Sequence, residues 1–237
     1  MSNIISKPFF DHLEEMRNRI IKSLLSVIIF SIAGYVYSDK IIELLINPVD
    51  GLNISFQVLK ITSIFVIKIG ISLISGVLFS FPVLLYQFLK FILPAFSNKI
   101  THKKIFVIIL LCLFLFLIGL LFGYFILIPI SISFFSSLSI NLNFIQVNYT
   151  LENYLVYLIW ILVISSFIFQ LPFILLVLNK LGIIDKNYLI RHRRHIIVLF
   201  FILAAFFTPP DPISQILVVI PLYILFELSI LLTKVNK

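Results

Sequence analysis

Charge, cysteine and glycine are what this sequence has least of. Of 237 residues only 12% are charged, whereas 61% are hydrophobic, and the mean hydropathy is +1.18. No water-soluble domain of this length can hide so much apolar surface, so the chain reads as an integral membrane protein. The single cysteine, Cys112, lies in an apolar run and can form no internal disulfide. The four histidines fall in or near basic segments without carboxylates arranged around them, so no metal is expected. Seven glycines leave little material for a phosphate-cradling loop. With no serine–histidine–acid set and no nucleotide motif, neither enzyme nor cofactor is expected. A cleavable secretory signal is not expected either, because Asp11, Glu14 and Glu15 interrupt the basic-then-apolar order. The net charge of +8 would suit nucleic acid, but the basic residues sit in short loops, so no nucleic-acid partner is expected.

What is present is a series of long apolar runs. They predict an all-α fold: a polytopic membrane protein of one membrane domain over residues 1–237, with six transmembrane helices and an N-terminal amphipathic interfacial helix within 1–20. The spans are expected at about Ile21–Tyr37, Ile64–Phe91, Ile105–Pro129, Tyr154–Lys180, Ile196–Phe207 and Ile213–Leu232. Barrel strands need only about 10 residues, so a strand reading fails on length. The last two spans are short and flank Thr208-Pro209-Pro210-Asp211-Pro212. Ile196–Phe207 supplies roughly 18 Å of helix against a hydrocarbon core of about 30 Å. The run from Ile213 meets Glu227 after about 14 residues. Such helices suggest local thinning of the bilayer.

Lys and Arg placement sets the expected orientation. Lys40, Lys60 and Lys68 lie on one side, and the other 15 of the 18 basic residues lie on the side that holds both termini. That side is then the cytoplasm or its organellar equivalent. Abundant Ile, Phe, Asn and Lys fit an AT-rich genome, and hence a bacterial cytoplasmic membrane or a derived organelle membrane, mitochondrial inner or thylakoid.

The segment from Pro8 to Ile20 is amphipathic. Phe9, Leu13, Met16 and Ile20 recur at helical spacing, and Asp11, Glu14, Glu15, Asn18 and Arg19 take the other face. Pro8 suits a first helical turn. One reading is a solvated lead-in with Glu15 and Arg19 as an ordinary i,i+4 pair. The other is an interfacial helix against lipid that offers carboxylates to the guanidinium groups of a basic partner.

Several segments carry a resemblance together: His12-Leu13-Glu14-Glu15-Met16-Arg17-Asn18-Arg19; Asn47-Pro48; Phe81-Pro82 through Tyr86-Gln87; Pro94-Ala95-Phe96; Phe169-Gln170-Leu171-Pro172; Phe207 through Gln215 with its Pro209-Pro210-Asp211 block; and Pro221 with Phe226-Glu227. In order and spacing, over nearly the whole chain, the sequence resembles the TatC family, the multi-spanning receptor subunit of the twin-arginine translocase. The resemblance implies recognition of paired-arginine signal peptides on folded cargo. It also implies assembly, with single-span TatA/TatB-like partners in a hetero-oligomer, of a passage driven by the proton-motive force. Glu15 matches a position of the signal-binding surface, and Arg17 and Arg19 match its neighbours. At Gln170, beside Pro172, the family often has a glutamate or glutamine that meets a partner helix. One departure stands out. The family usually has a glutamate soon after the Pro94-Ala95 step, yet Pro94–Lys104 holds no acid and the matching position is Ile100, between Lys99 and Lys103. The departure implies altered selectivity for the arginine pair in a divergent member.

Each polar position also has a plainer reading. Gln170 can serve packing through an interhelical hydrogen bond, or satisfy a carbonyl freed by Pro172. Glu227 can be an interfacial acid, and Asp211 can stabilise the start of the last helix. Pro48, Pro82, Gln87, Pro209, Pro210 and Gln215 fit structural or assembly roles. Two other functions are compatible with six spans. A small-solute secondary transporter is one, although no inverted repeat with matched broken helices is visible. A membrane assembly scaffold without receptor activity is the other.

Overall fold

In lipid every backbone N–H and C=O must find its partner within the protein, which drives the apolar runs into helices. The computed structural model describes residues 3–48, 56–92, 102–140, 149–180, 182–208 and 212–233. Its elements are α1 (Asn3–Val36), α2 (Ser38–Ile46), β1 (Phe56–Gln57), α3 (Ser63–Ile92), α4 (His102–Phe122), a π-helical turn (Gly123–Leu127) and α5 (Ile128–Ile140), followed by β2 (Tyr149–Thr150), α6 (Leu151–Ile168), α7 (Leu171–Lys180), α8 (Lys186–Arg191), α9 (Arg193–Phe207) and α10 (Pro212–Leu232). Pro209, Pro210 and Asp211, and the loop positions Lys99 and Ile100, lie outside the described residues.

Four stretches are long and apolar enough to cross a membrane: Leu13–Val36, Ser63–Phe91, Phe106–Ser137 and Leu151–Asn179. At most 39% of the apolar window in each is buried, so most of this surface faces outward, as lipid contact requires. The chain is a multi-pass membrane protein. α9 has 15 residues, roughly 22 Å of helix. α10 has 21 residues and continues past Glu227 to Leu232, with its apolar stretch over Gln215–Leu231.

Three helices differ from the sequence expectation. The N-terminal amphipathic segment and the first span are one uninterrupted helix, α1, of 34 residues. Nothing between Phe9 and Ala33 breaks it, since that stretch holds neither glycine nor proline. Leu13, Met16 and Ile20 are exposed along it, as a lipid-facing stripe requires. The third span does not stop at Pro129. A π-turn intervenes, in which the Ile128 N–H donates to the Gly123 carbonyl five residues back, and α5 then runs on to Ile140. The looser turn makes room for a proline ring that would strike the carbonyl four residues earlier in a regular α-helix. The fourth span breaks into α6 and α7 at Phe169-Gln170, where the Gln170 N–H bonds to the Phe167 carbonyl at 2.9 Å. Pro172, two residues on, has no N–H with which to continue the regular ladder.

The chain divides into two compact units, Met1–Ile42 with Phe65–Leu111, and Glu43–Ile64 with Cys112–Lys237. Inside the first, α1 and α3 meet through a reciprocal glycine–serine contact. A Cβ added to Gly34 would lie 2.1 Å from Ser75 Oγ, and one on Gly76 would lie 2.0 Å from Ser31 Oγ. Lys68, which interrupts the apolar start of α3, reaches Asp39 at 2.7 Å.

The second unit repeats the device. A Cβ on Gly119 would lie 2.8 Å from the Ser165 carbonyl oxygen, and one on Gly123 would lie 2.4 Å from Ser165 Oγ. The α9–α10 seam is apolar, with Ala204, Leu222 and Phe226 buried and the Phe200 and Phe226 rings edge-on at 6.0 Å. β1 and β2 form a short parallel pair, Phe56 with Tyr149 and Gln57 with Thr150. Several serine hydroxyls turn inward to their own helices, as Ser165 to the Leu162 carbonyl (3.1 Å) and Ser229 to the Leu225 carbonyl (2.7 Å).

The glycine contacts make a direct prediction. Gly119→Ala forces α4 away from α6 backbone, at an expected cost of about 1–3 kcal/mol. Cys112, fully buried one helical stretch away on α4, reports it. On heating, the variant's thiol reacts with a maleimide dye at a lower temperature than the parent's. Gly70→Ala, where an added Cβ meets nothing within 4 Å, leaves that temperature unchanged.

Candidate functional site

The N-terminal half of α1 carries the predicted carboxylates. Helical spacing places acid and base one turn apart, and two intrahelical pairs result. Arg17 Nη2 donates to Glu14 Oε1 at 3.4 Å, and both side chains are about two-thirds exposed. Arg19 Nη2 donates to Glu15 Oε1. This second pair is asymmetric: the Glu15 side chain is 41% exposed, that of Arg19 only 13%. Arg19 is covered because it leans toward α3, where Nη1 lies 3.5 Å from the Gln87 carbonyl oxygen. Its Nε is buried with no partner among the described residues. Glu15 and Arg19, expected from the sequence as an i,i+4 pair, thus form one cluster with Gln87, which contributes its backbone. Arg17 pairs with Glu14 instead. Pro82, half-buried, lies within α3 one turn before this contact.

Gln170 sits at the break between α6 and α7 and is buried, as is Pro172. Its amide does not repair its own helix. Nε2 donates across to the Cys112 carbonyl of α4 at 3.2 Å, and Oε1 has no partner among the described residues. A buried amide oxygen without a hydrogen bond is costly and therefore a position of interest.

Glu227 is not a lone interfacial acid. Its Oε2 accepts from Arg193 Nη2 at 2.9 Å, and its Oε1 accepts from the Tyr223 hydroxyl at 2.9 Å. The pair ties the start of α9 to the last turns of α10, and it lets α10 carry a carboxylate without ending there. In the sequence Arg193 is one of the basic residues that set the orientation, with no expected partner. Its partner is 34 residues away, and the one available signal was that an acid inside an apolar helix needs a base. Gln215 is half-buried in the second turn of α10.

Pro48 lies just beyond α2, whose final carbonyls have no partners within the helix. Two tyrosines supply them: Tyr124 donates to the Leu44 carbonyl at 2.7 Å and Tyr154 to the Leu45 carbonyl at 3.1 Å. Nearby, Ser63 donates to Glu152 Oε2 at 2.8 Å, joining the starts of α3 and α6. A cavity of about 210 Å³ opens there, lined by Gln57, Lys60, Glu152 and Asn153 among others.

The Arg193–Glu227 contact can be measured by a double-mutant cycle. Glu227→Ala leaves a partly buried guanidinium without its acceptor and is expected to cost about 1–3 kcal/mol in thermal stability. Arg193→Gln costs clearly less in that background than alone. Additive losses would show the two groups to be uncoupled.

Residues 11–221 match the family model described as Sec-independent protein translocase protein (TatC). The TatC of Desulforapulum autotrophicum is 33% identical over 231 residues, covering 96% of this chain and 84% of that protein. A tatC-like protein, ymf16, of Reclinomonas americana is 35% identical over 232 residues, covering 96% and 87%. A crystal structure of the twin-arginine translocase receptor TatC in DDM superposes with a TM-score of 0.81 at 31% identity, covering 94% of this chain and all of that one. With the family model spanning most of the chain and relatives above 30% identity along nearly all of it, this protein belongs to the TatC family of Sec-independent protein translocases.

Proposed function

We propose that this chain is the receptor subunit of a twin-arginine translocase. It recognises paired-arginine signal peptides of folded precursors and assembles, with single-span TatA/TatB-like partners, a passage driven by the proton-motive force. The observation that carries the reading is the pair of carboxylates on α1. Glu14 and Glu15 are accessible, adjacent and already engaged with guanidinium groups, the chemistry an arginine-pair ligand brings. Both termini face the cytoplasmic, stromal or matrix side, where precursors are made, since 15 of the 18 basic residues are on that side.

Gln170 is the contact for a partner helix in this reading. Its Oε1, unpaired among the described residues, accepts a donor that a partner supplies, and the α6–α7 break at Pro172 gives the local backbone freedom to present it. Pro48, Pro82, Gln87, Gln215, Glu227 and the Pro209-Pro210-Asp211 turn hold the frame. α9, at roughly 22 Å, is shorter than the hydrocarbon core of about 30 Å and thins the bilayer where cargo crosses. Ile100, in place of the family's second acid, leaves the α1 carboxylates as the main guanidinium acceptors.

A photo-crosslinking residue at position 15, in membranes presented with a twin-arginine precursor, tests the reading. A precursor adduct is expected, and it weakens when the signal's two arginines are replaced by lysines. A normally inserted protein that gives no adduct sinks the proposal. In parallel, Glu15→Gln lowers precursor binding about tenfold or more, the worth of one charge-assisted hydrogen bond. Gln170→Leu leaves binding intact and abolishes transport.

A further inference from the structure

We propose that Arg19 is a built-in competitor for the arginine-pair ligand, occupying Glu15 in the resting receptor and yielding it when a signal peptide binds. This rests on the reading of Glu15 as a signal-binding residue. The geometry supports it in three ways. First, Arg19 offers Glu15 the same planar fork that the ligand's arginine would offer, from within one turn of the same helix. Second, Arg19 has somewhere to stay when it lets go. Its Nη1 already faces the Gln87 carbonyl of α3 at 3.5 Å, so release does not strand the whole guanidinium. Third, Glu15 keeps 41% of its side chain exposed, so Arg19 does not seal it from solvent.

The neighbouring pair completes the picture. Glu14 and Arg17 meet at 3.4 Å with both side chains about two-thirds exposed, so their exchange with an outside guanidinium is nearly free. The helix therefore holds two acid–arginine pairs, one loose and one partly covered, and an incoming arginine pair replaces like with like. Such an exchange lowers apparent affinity by the fraction of time Glu15 is occupied. Its consequence is a threshold. Ligands whose remaining contacts are weak fail to displace Arg19, even though they carry the right charge. In a chain with Ile100 where a second acid is expected, that threshold is a means of rejecting poorly matched basic peptides.

Competition has a signature that a positioning role lacks. The full-length protein in nanodiscs is titrated with a fluorescent signal peptide carrying Arg-Arg ahead of its apolar stretch, and with a Lys-Lys version. Arg19→Gln is expected to tighten both by the same factor, about three- to tenfold, leaving their ratio unchanged. Arg19→Lys, which keeps the charge and loses the fork, gives a smaller gain. In a Glu15→Gln background the gain from Arg19→Gln disappears, since there is no longer a carboxylate to contest. Weaker binding in Arg19→Gln, with Cys112 still protected from thiol dye, would show that Arg19 positions Glu15 and would overturn the proposal. So would Arg19→Lys indistinguishable from the parent alongside a tighter Arg19→Gln, which would reduce the effect to charge repulsion. If Glu15→Gln alone leaves the affinity of the Arg-Arg peptide unaltered, the underlying assignment of Glu15 fails, whatever Arg19 does.

Discussion

Helices in lipid gain little from burying apolar side chains against one another, because the hydrocarbon around them is equally apolar. What holds them is close approach and the few polar contacts that approach permits. In this chain the approach is set by glycines facing serines. Gly34 and Gly76 interlock with Ser75 and Ser31 between α1 and α3, and Gly119 and Gly123 receive Ser165 between α4 and α6. Each contact leaves no room for a methyl group. The first sets the register of α1 on α3, and with it the meeting of Arg19 with the Gln87 carbonyl. The second brings α4 and α6 together, and Gln170 just beyond α6 reaches the Cys112 carbonyl.

The same absence of water dictates how polar groups behave. Several serine hydroxyls, Ser165 and Ser229 among them, fold back on carbonyls of their own helix. Lys68 reaches Asp39, and Glu227 is held by Arg193 and Tyr223. Prolines are tolerated where the backbone has another arrangement available: a π-turn before Pro129 and a break before Pro172. Among the described residues five buried side-chain atoms lack a hydrogen-bond partner: Ser31 Oγ, Ser131 Oγ, Arg193 Nε, Arg19 Nε and the Gln170 amide oxygen. The last two belong to the places where the chain is proposed to meet other molecules.

Receptor and passage-forming roles place opposite demands on a membrane helix. A receptor needs charged groups accessible at the surface, and α1 provides them by running straight from its polar N-terminal half into the bilayer without a break. A passage needs helices that perturb the bilayer, and α9, with 15 residues, is the short helix proposed to do so. Glu227 illustrates how both are reconciled with stability. Its pairing with Arg193 lets α10 carry a charge and continue to Leu232.

Composition and local pattern by themselves determined the class of protein, the positions of the long apolar helices, the carboxylate–arginine helix at the N-terminus and the family. All of these depend on neighbours a few residues apart, through hydrophobicity, helical period and motif spacing. Only the tertiary structure decided which polar groups meet. Arg19 and Gln87 are separated by 68 residues, Gln170 and Cys112 by 58, Arg193 and Glu227 by 34. It also decided that α1 is one helix and that the fourth span is two, because a helix continues or breaks according to what satisfies its freed backbone groups. In lipid only another part of the chain can do that.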